Sequence, residues 1–243
     1  EGSIISVDAG AKFAMTTGVT LAKNVSTTAG AAIRNNGKTV ITGGEIRDNV
    51  SAQGAVYSTG TVSLEKDTDA AADEPKIIDN YADADKKVKS NIVLGQQDQN
   101  NGQIIIAGAF ENQNLGYSVE NPTADYPAFG KADAVAAEDF AKAVTAMSYE
   151  GDKNFKVDTN TGHLASNKPA VTVELKSEKA NTVSAAITSD KAGKYYYKYV
   201  AAGAAAPAID DSTEGGAVTA GTAASLEIPD VKDKSIDLYV WVK

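Results

Sequence analysis

Few side chains here have the type and spacing to do chemistry. Asp48 and Asp79 hold the same place in two similar units, Ile46-Arg47-Asp48-Asn49 and Ile77-Ile78-Asp79-Asn80. If these units stack as neighbouring strands, the two carboxylates stand about 5 Å apart, the strand spacing of a sheet. That is near the ~5–5.5 Å separation of a retaining glycosidase pair, and a calcium-assisted lyase needs similar clustering. A third unit, Leu21-Ala22-Lys23-Asn24, places a lysine at the same position, and no aromatic residues surround the pair. The pattern therefore reads first as a solvated polar column. Asp67, Asp69, Asp73 and Glu74 form an acidic loop without the ligand spacing or central glycine of an EF-hand, so at most weak calcium binding is expected of it. His163 is the one histidine. Asp158, Thr161 and Ser166 lie near it in sequence, but none of the hydroxyls sits in a Gly-x-Ser-x-Gly elbow. Gly43-Gly44 opens a strand and lacks the Gly-Lys-Ser/Thr of a phosphate loop. No cofactor is expected.

Aromatic residues near the C-terminal end offer a different chemistry. Ile236, Leu238, Val240 and Val242 alternate, which leaves Tyr239 and Trp241 on the opposite face of a strand. Tyr195, Tyr197 and Tyr199 share one face of another. Exposed tyrosine and tryptophan on a sheet can stack on sugar rings or anchor a partner. The plainer alternative is packing against each other across strands. Among the repeated units, the outward side chains Arg47, Asp48 and Tyr57 are the further binding candidates.

Composition narrows the partners. The chain has 243 residues, a formal net charge of −9 and no cysteine. Disulfides, thiol catalysis and cysteine-ligated zinc are excluded. Its acidity disfavours nucleic acid and anionic lipid, and no apolar run reaches the ~18–20 residues of a membrane span. A monomer is expected. The first residue is glutamate, which suggests a processed or truncated piece whose signal peptide and anchor lie outside it.

The elements that must position these side chains show in the repeats. Leu21-Ala22-Lys23-Asn24, Ile46-Arg47-Asp48-Asn49 and Ile77-Ile78-Asp79-Asn80 are each followed by a small or polar corner and then an apolar residue, as in Gly30-Ala31-Ala32-Ile33 and Gly54-Ala55-Val56. Short strands, fixed turn offsets and a period in the twenties predict a parallel β-solenoid. Stacking aligns Leu21, Ile46 and Ile77, and brings Asn24, Asn49 and Asn80 into a column. Further rungs are expected at 3–16 and 102–110. Ala132–Met147 reads as a helix with Val135, Phe140, Val144 and Met147 on one face, a natural cap for an open solenoid end. Asn154–Asp158 reads as a strand with a turn at Asn160-Thr161-Gly162.

These units resemble the degenerate GGAI and FxxN repeats of chlamydial polymorphic outer-membrane proteins, and more closely the adhesin-like surface proteins of gut Firmicutes. The similarity runs over roughly residues 15–110, although no unit has a full Gly-Gly-Ala or a phenylalanine at the FxxN position. It implies a right-handed parallel β-helix on a bacterial cell surface.

Ser166-Asn167-Lys168-Pro169 marks the expected boundary between a 1–166 β-helix with its cap and a 167–243 module. The second segment has five to seven short strand patterns with a turn at Asp190-Lys191-Ala192-Gly193, which predicts an antiparallel β-sandwich. Around Ser189–Tyr197 it resembles the fibronectin type III-like or Ig-like modules that follow β-helices in bacterial surface proteins. The overall expectation is an all-β, non-catalytic, extracellular adhesin or structural stalk that binds host or matrix glycans or proteins. The alternative is a polysaccharide-active enzyme, of pectate-lyase-like type, or a carbohydrate-binding protein on the same scaffold.

Overall fold

Three-residue strands cannot bury an apolar face alone, so each must find neighbours of the same kind. The computed structural model shows how they do so. It describes residues 2–65, 74–97, 100–108, 115–179, 181–209, 212–229, 231 and 235–243. The chain divides into two compact units, residues 1–167 and 168–243.

In the first unit the strands come in threes: β1 (Ile5–Val7), β2 (Lys12–Met15) and β3 (Thr20–Ala22), then β4 (Ile33–Asn35), β5 (Lys38–Ile41) and β6 (Glu45–Arg47), then β7 (Val56–Ser58), β8 (Thr61–Leu64) and β9 (Lys76–Ile78). The next group is β10 (Ile92–Leu94), a short antiparallel pair β11 (Gln96–Gln97) and β12 (Asn100–Asn101), and β13 (Gln103–Ile106). After it come β14 (Gly116–Val119), β15 (Phe129–Lys131), the helix α1 (Ala137–Ala146) and β16 (Ser148–Tyr149). The unit ends in an antiparallel pair, β17 (Phe155–Val157) and β18 (Leu164–Ser166). The chain visits three parallel sheets in rotation, ordered β1-β4-β7-β10-β14-β16, β2-β5-β8-β13-β15 and β3-β6-β9.

Register explains why the repeats are spaced as they are. Ile5, Ile33, Val56, Ile92 and Tyr117 are successive partners in the first sheet. Met15, Ile41, Leu64 and Ile106 line up in the second, and Leu21, Ile46 and Ile77 in the third. All but Ile5 and Leu21, at the first strands, are buried in one core. Each fully buried aliphatic side chain contributes roughly 1.5–3 kcal/mol. Among the buried polar positions of these sheets, one stands out. Thr39, between Phe13 and Val62 in register, is fully buried, and its hydroxyl has no hydrogen-bond partner among the described residues.

The helix is shorter than its sequence pattern. It spans Ala137–Ala146, not 132–147, because β15 runs through Lys131 and a turn closed by Val135 N–H to Ala132 O follows it. The apolar face is nonetheless the buried one: Val135, Phe140, Val144 and Met147 all join the core.

The second unit is antiparallel. Its strands are β19 (Val171–Lys179), β20 (Thr182–Ser189), β21 (Gly193–Ala201), β22 (Thr213–Val218), β23 (Ala224–Pro229) and β24 (Ile236–Val242). They form two three-stranded sheets, β19-β20-β23 and β22-β21-β24. The turn at 190–192 therefore carries the chain from one sheet to the other. Ile187, Leu226 and Ile228 of the first sheet share a core with Tyr195, Val218 and Val242 of the second.

Candidate functional site

Asp48 and Asp79 are neighbours, as their spacing predicts: the Asp48 N–H donates to the Asp79 carbonyl at 3.0 Å. Both residues, and Lys23, adopt left-handed backbone (φ 57°, 51° and 61°). This corner geometry suits aspartate and asparagine better than lysine. The turn thus accounts for aspartate before Asn49 and Asn80 and does not account for Lys23. The Asp48 carboxylate is occupied. Arg47 donates to it at 2.6 Å and Lys86 at 3.4 Å, and Arg47 also reaches Glu45 at 3.0 Å. The bond from Arg47 holds the Asp48 carboxyl below the usual carboxylate range, opposite to the raised value a general acid needs. Arg47 and Asp48, both candidate binding residues, spend their charges on each other and their neighbours.

Tyr57 is half-buried, and its hydroxyl donates to Glu120 at 2.8 Å. Burial, with the Glu120 charge adding to it, raises the phenol to about 12. The ring lies where a side chain on Gly95 would be, so this tyrosine is fixed in place by its neighbours.

The asparagines form a column with one direction. The Asn24 amide donates to Asn49 Oδ1 at 2.7 Å, Asn49 to Asn80 Oδ1 at 2.8 Å, and Asn80 to Asn91 Oδ1 at 2.9 Å. Each acceptor oxygen also takes the backbone N–H of the preceding asparagine. The column ends on a carboxylate, since Asn91 donates to both oxygens of Glu150, at 3.0 and 3.3 Å. Glu150 reaches it by passing over Gly116, where a Cβ would overlap the carboxylate. Burial pushes the Glu150 carboxyl up, and the Asn91 bonds with Lys89 and Lys153 oppose that rise. Sequence reasoning found the first three asparagines and missed Asn91 and Glu150. Asn91 stands where the earlier repeats carry Ala32 and Ala55, and Glu150 follows β16, 59 residues further on.

In the second unit the tyrosine face is reversed from the expected one. Tyr195 is 4% exposed, belongs to the core and donates from its hydroxyl to Ser225 O at 3.1 Å. Tyr197 packs on the same core, and only Tyr199 is well exposed. The reason is register: Tyr195, Tyr197 and Tyr199 pair with Val242, Val240 and Leu238, and cross-strand partners share a face. The outward face carries the alternate residues, with Tyr196 opposite Trp241 and Lys198 opposite Tyr239. The Tyr239 and Trp241 rings stack at 6.2 Å with 19° between their planes. The Lys243 ammonium stands 5.3 Å from the Tyr196 ring centre, a cation–π contact. Lys194 pairs with Glu214 at 2.8 Å on the same sheet. Tyr239 and Trp241 were legible from alternation. Tyr196 was not, because a run of three tyrosines does not say which one faces out.

The Asp158, Thr161 and His163 cluster is the turn of the β17–β18 hairpin. Asp158 Oδ1 accepts the N–H groups of Asn160 and Thr161, and the Thr161 hydroxyl accepts that of His163. Among the described residues no group of three histidines or carboxylates is placed to hold a metal ion. Asp67, Asp69 and Asp73 of the acidic loop lie outside the described residues. No described helix is long and apolar enough to cross a membrane. No family model, curated protein or solved structure matches the chain.

Proposed function

We propose that the protein is a non-catalytic, extracellular bacterial surface protein that binds glycans through the outward aromatic face of its second unit. In this reading the three parallel sheets wind as a right-handed β-helix similar to adhesin repeats, α1 closes one end, and the second unit is an Ig-like sandwich. The observation that carries the binding role is the stacked Tyr239–Trp241 pair beside Tyr196 on a single sheet face. Flat rings on a rigid sheet offer apolar area for sugar C–H groups with little side-chain entropy to lose. The rotation of short strands through three parallel sheets supports the β-helix reading of the first unit. The residues that make the repeats similar, Ile46, Asn49 and Val56, are consumed by stacking, which suits a stalk. Weak binding by one module becomes useful when many copies are displayed on one surface.

The test is a glycan array probed with the whole chain, with and without calcium, alongside Trp241→Ala and Tyr239→Ala. Binding that both substitutions abolish supports the reading. Binding to no glycan, or binding indifferent to both residues, overturns the assignment to this face. Release of product from any polysaccharide would replace the non-catalytic reading with an enzymatic one.

A further inference from the structure

A cleft of about 600 Å³ opens in the first unit where the asparagine column ends. Its volume falls within the ~300–1,000 Å³ of small-ligand sites. Glu150 and Asp79 line it together with Lys87, Lys89 and Lys153, and Tyr149 and Val88 add apolar surface. Two features make it more than a gap between loops. Glu150 is held by Asn91 across Gly116, so its carboxylate is already fixed and keeps lone pairs for a ligand. A fixed acceptor loses little entropy on binding. Around it the cations are only partly used. Lys87 pairs with Asp85 at 3.2 Å and Lys153 donates to the Tyr149 carbonyl at 3.2 Å, whereas the Lys89 ammonium has no hydrogen bond or ion pair among the described residues. The cleft thus combines two hydrogen-bond-accepting carboxylates with three ammonium groups, in a chain whose net charge is −9.

We propose that this cleft binds a carboxylated sugar. The ligand carboxylate meets Lys89 and Lys153, ring hydroxyls donate to Glu150 and Asp79, and an apolar ring face rests against Tyr149. A neutral sugar leaves Lys89 without a partner. A phosphate lacking hydroxyls presents only negative charge to Glu150 and Asp79. The site is separate from the aromatic face of the second unit and does not depend on it.

Calorimetric titration of the whole chain tests this, using glucuronate, galacturonate and sialic acid, with glucose and galactose as neutral controls. At least one acid is expected to bind at least about tenfold more tightly than the neutral sugars, the scale of one charge-assisted contact. Lys89→Ala and Lys153→Ala change exposed side chains, so both variants should melt as the parent does while each weakens binding about tenfold. Trp241→Ala should leave this binding unchanged. The proposal is overturned if none of the acids binds, if the neutral sugars bind equally well, if both lysine variants bind as the parent, or if Trp241→Ala removes the binding. Loss of array binding in Trp241→Ala with uronate binding intact would separate the two sites.

Discussion

The two units spend their polar and aromatic side chains in opposite ways. In the first, the repeated polar residues turn inward and hold strands to one another: Asn49 and Asn80 are fully buried and bonded along the stack. Several of its aromatics are core, with Tyr117 packed edge-on to Phe129 at 4.8 Å, whereas Tyr57 and Tyr81 stay outside it. In the second unit the core is aliphatic apart from Tyr195 and its partly buried neighbour Tyr197, and Tyr196, Tyr239 and Trp241 face outward beside lysines. A parallel stack repeats every side chain in register, so an amide can bond to its own kind indefinitely. An antiparallel pair offers no such column, and its alternation leaves one face free for a ligand.

The largest effect should come from cutting the column. Asn80 accepts two hydrogen bonds and donates from its side chain to Ile46 O, Ile78 O and Asn91. Asn80→Ala strands these buried groups, and about 3–4 kcal/mol should be lost. Urea unfolding followed by circular dichroism reads this directly, and a loss under about 1 kcal/mol would reduce the column to ornament.

Gly116→Ala comes next. Its Cβ displaces the Glu150 carboxylate from Asn91, at a cost of about 1–2 kcal/mol in the same assay. A gain in stability would mean that Glu150 swings aside freely. Thr39→Val works in the other direction. Removing a buried hydroxyl without a described partner should stabilise the first unit by about 1 kcal/mol, seen as a higher melting temperature.

Glu150 also predicts a pH dependence. Burial raises its carboxyl in the folded chain above the unfolded value, so the ionised form is penalised when folded. Stability should therefore be lower above the folded value and recover as pH falls toward the ordinary carboxylate range. Glu150→Gln keeps an oxygen for Asn91 and should abolish that recovery, which denaturant titrations over this window would show. The smallest stability change is expected for Trp241→Ala, about 1 kcal/mol or less, although glycan binding is lost. A large loss of stability would make the aromatic face structural and erase the contrast between the units.

Much of the first unit was legible because each repeat carries its own local signals. Glycine and asparagine corners, apolar residues at fixed offsets and the asparagines foretell which side chains stack. The helix was legible in its buried face and not in its start, since the turn at 132–136 depends on where β15 ends. Alternation placed Tyr239 and Trp241 outward. It failed for Tyr195, because an unbroken Tyr-Tyr-Tyr run has no hydrophobic contrast to set its phase. Asp48 and Asp79 are backbone neighbours as their spacing predicts, but the ion pairs to Arg47 and Lys86 that occupy Asp48 come partly from 38 residues away.

Sequence by itself determined the short-strand repeat, the asparagine column as far as Asn80, and the change of character after Ser166, because these arise from residues close in the chain or recurring at a fixed period. Only the tertiary structure decided that the column ends on Glu150, that Gly116 makes room for it, and that Tyr196 completes the outward face of β21 and β24. Those contacts join residues tens of positions apart, and strand register, which no local pattern encodes, brings them together.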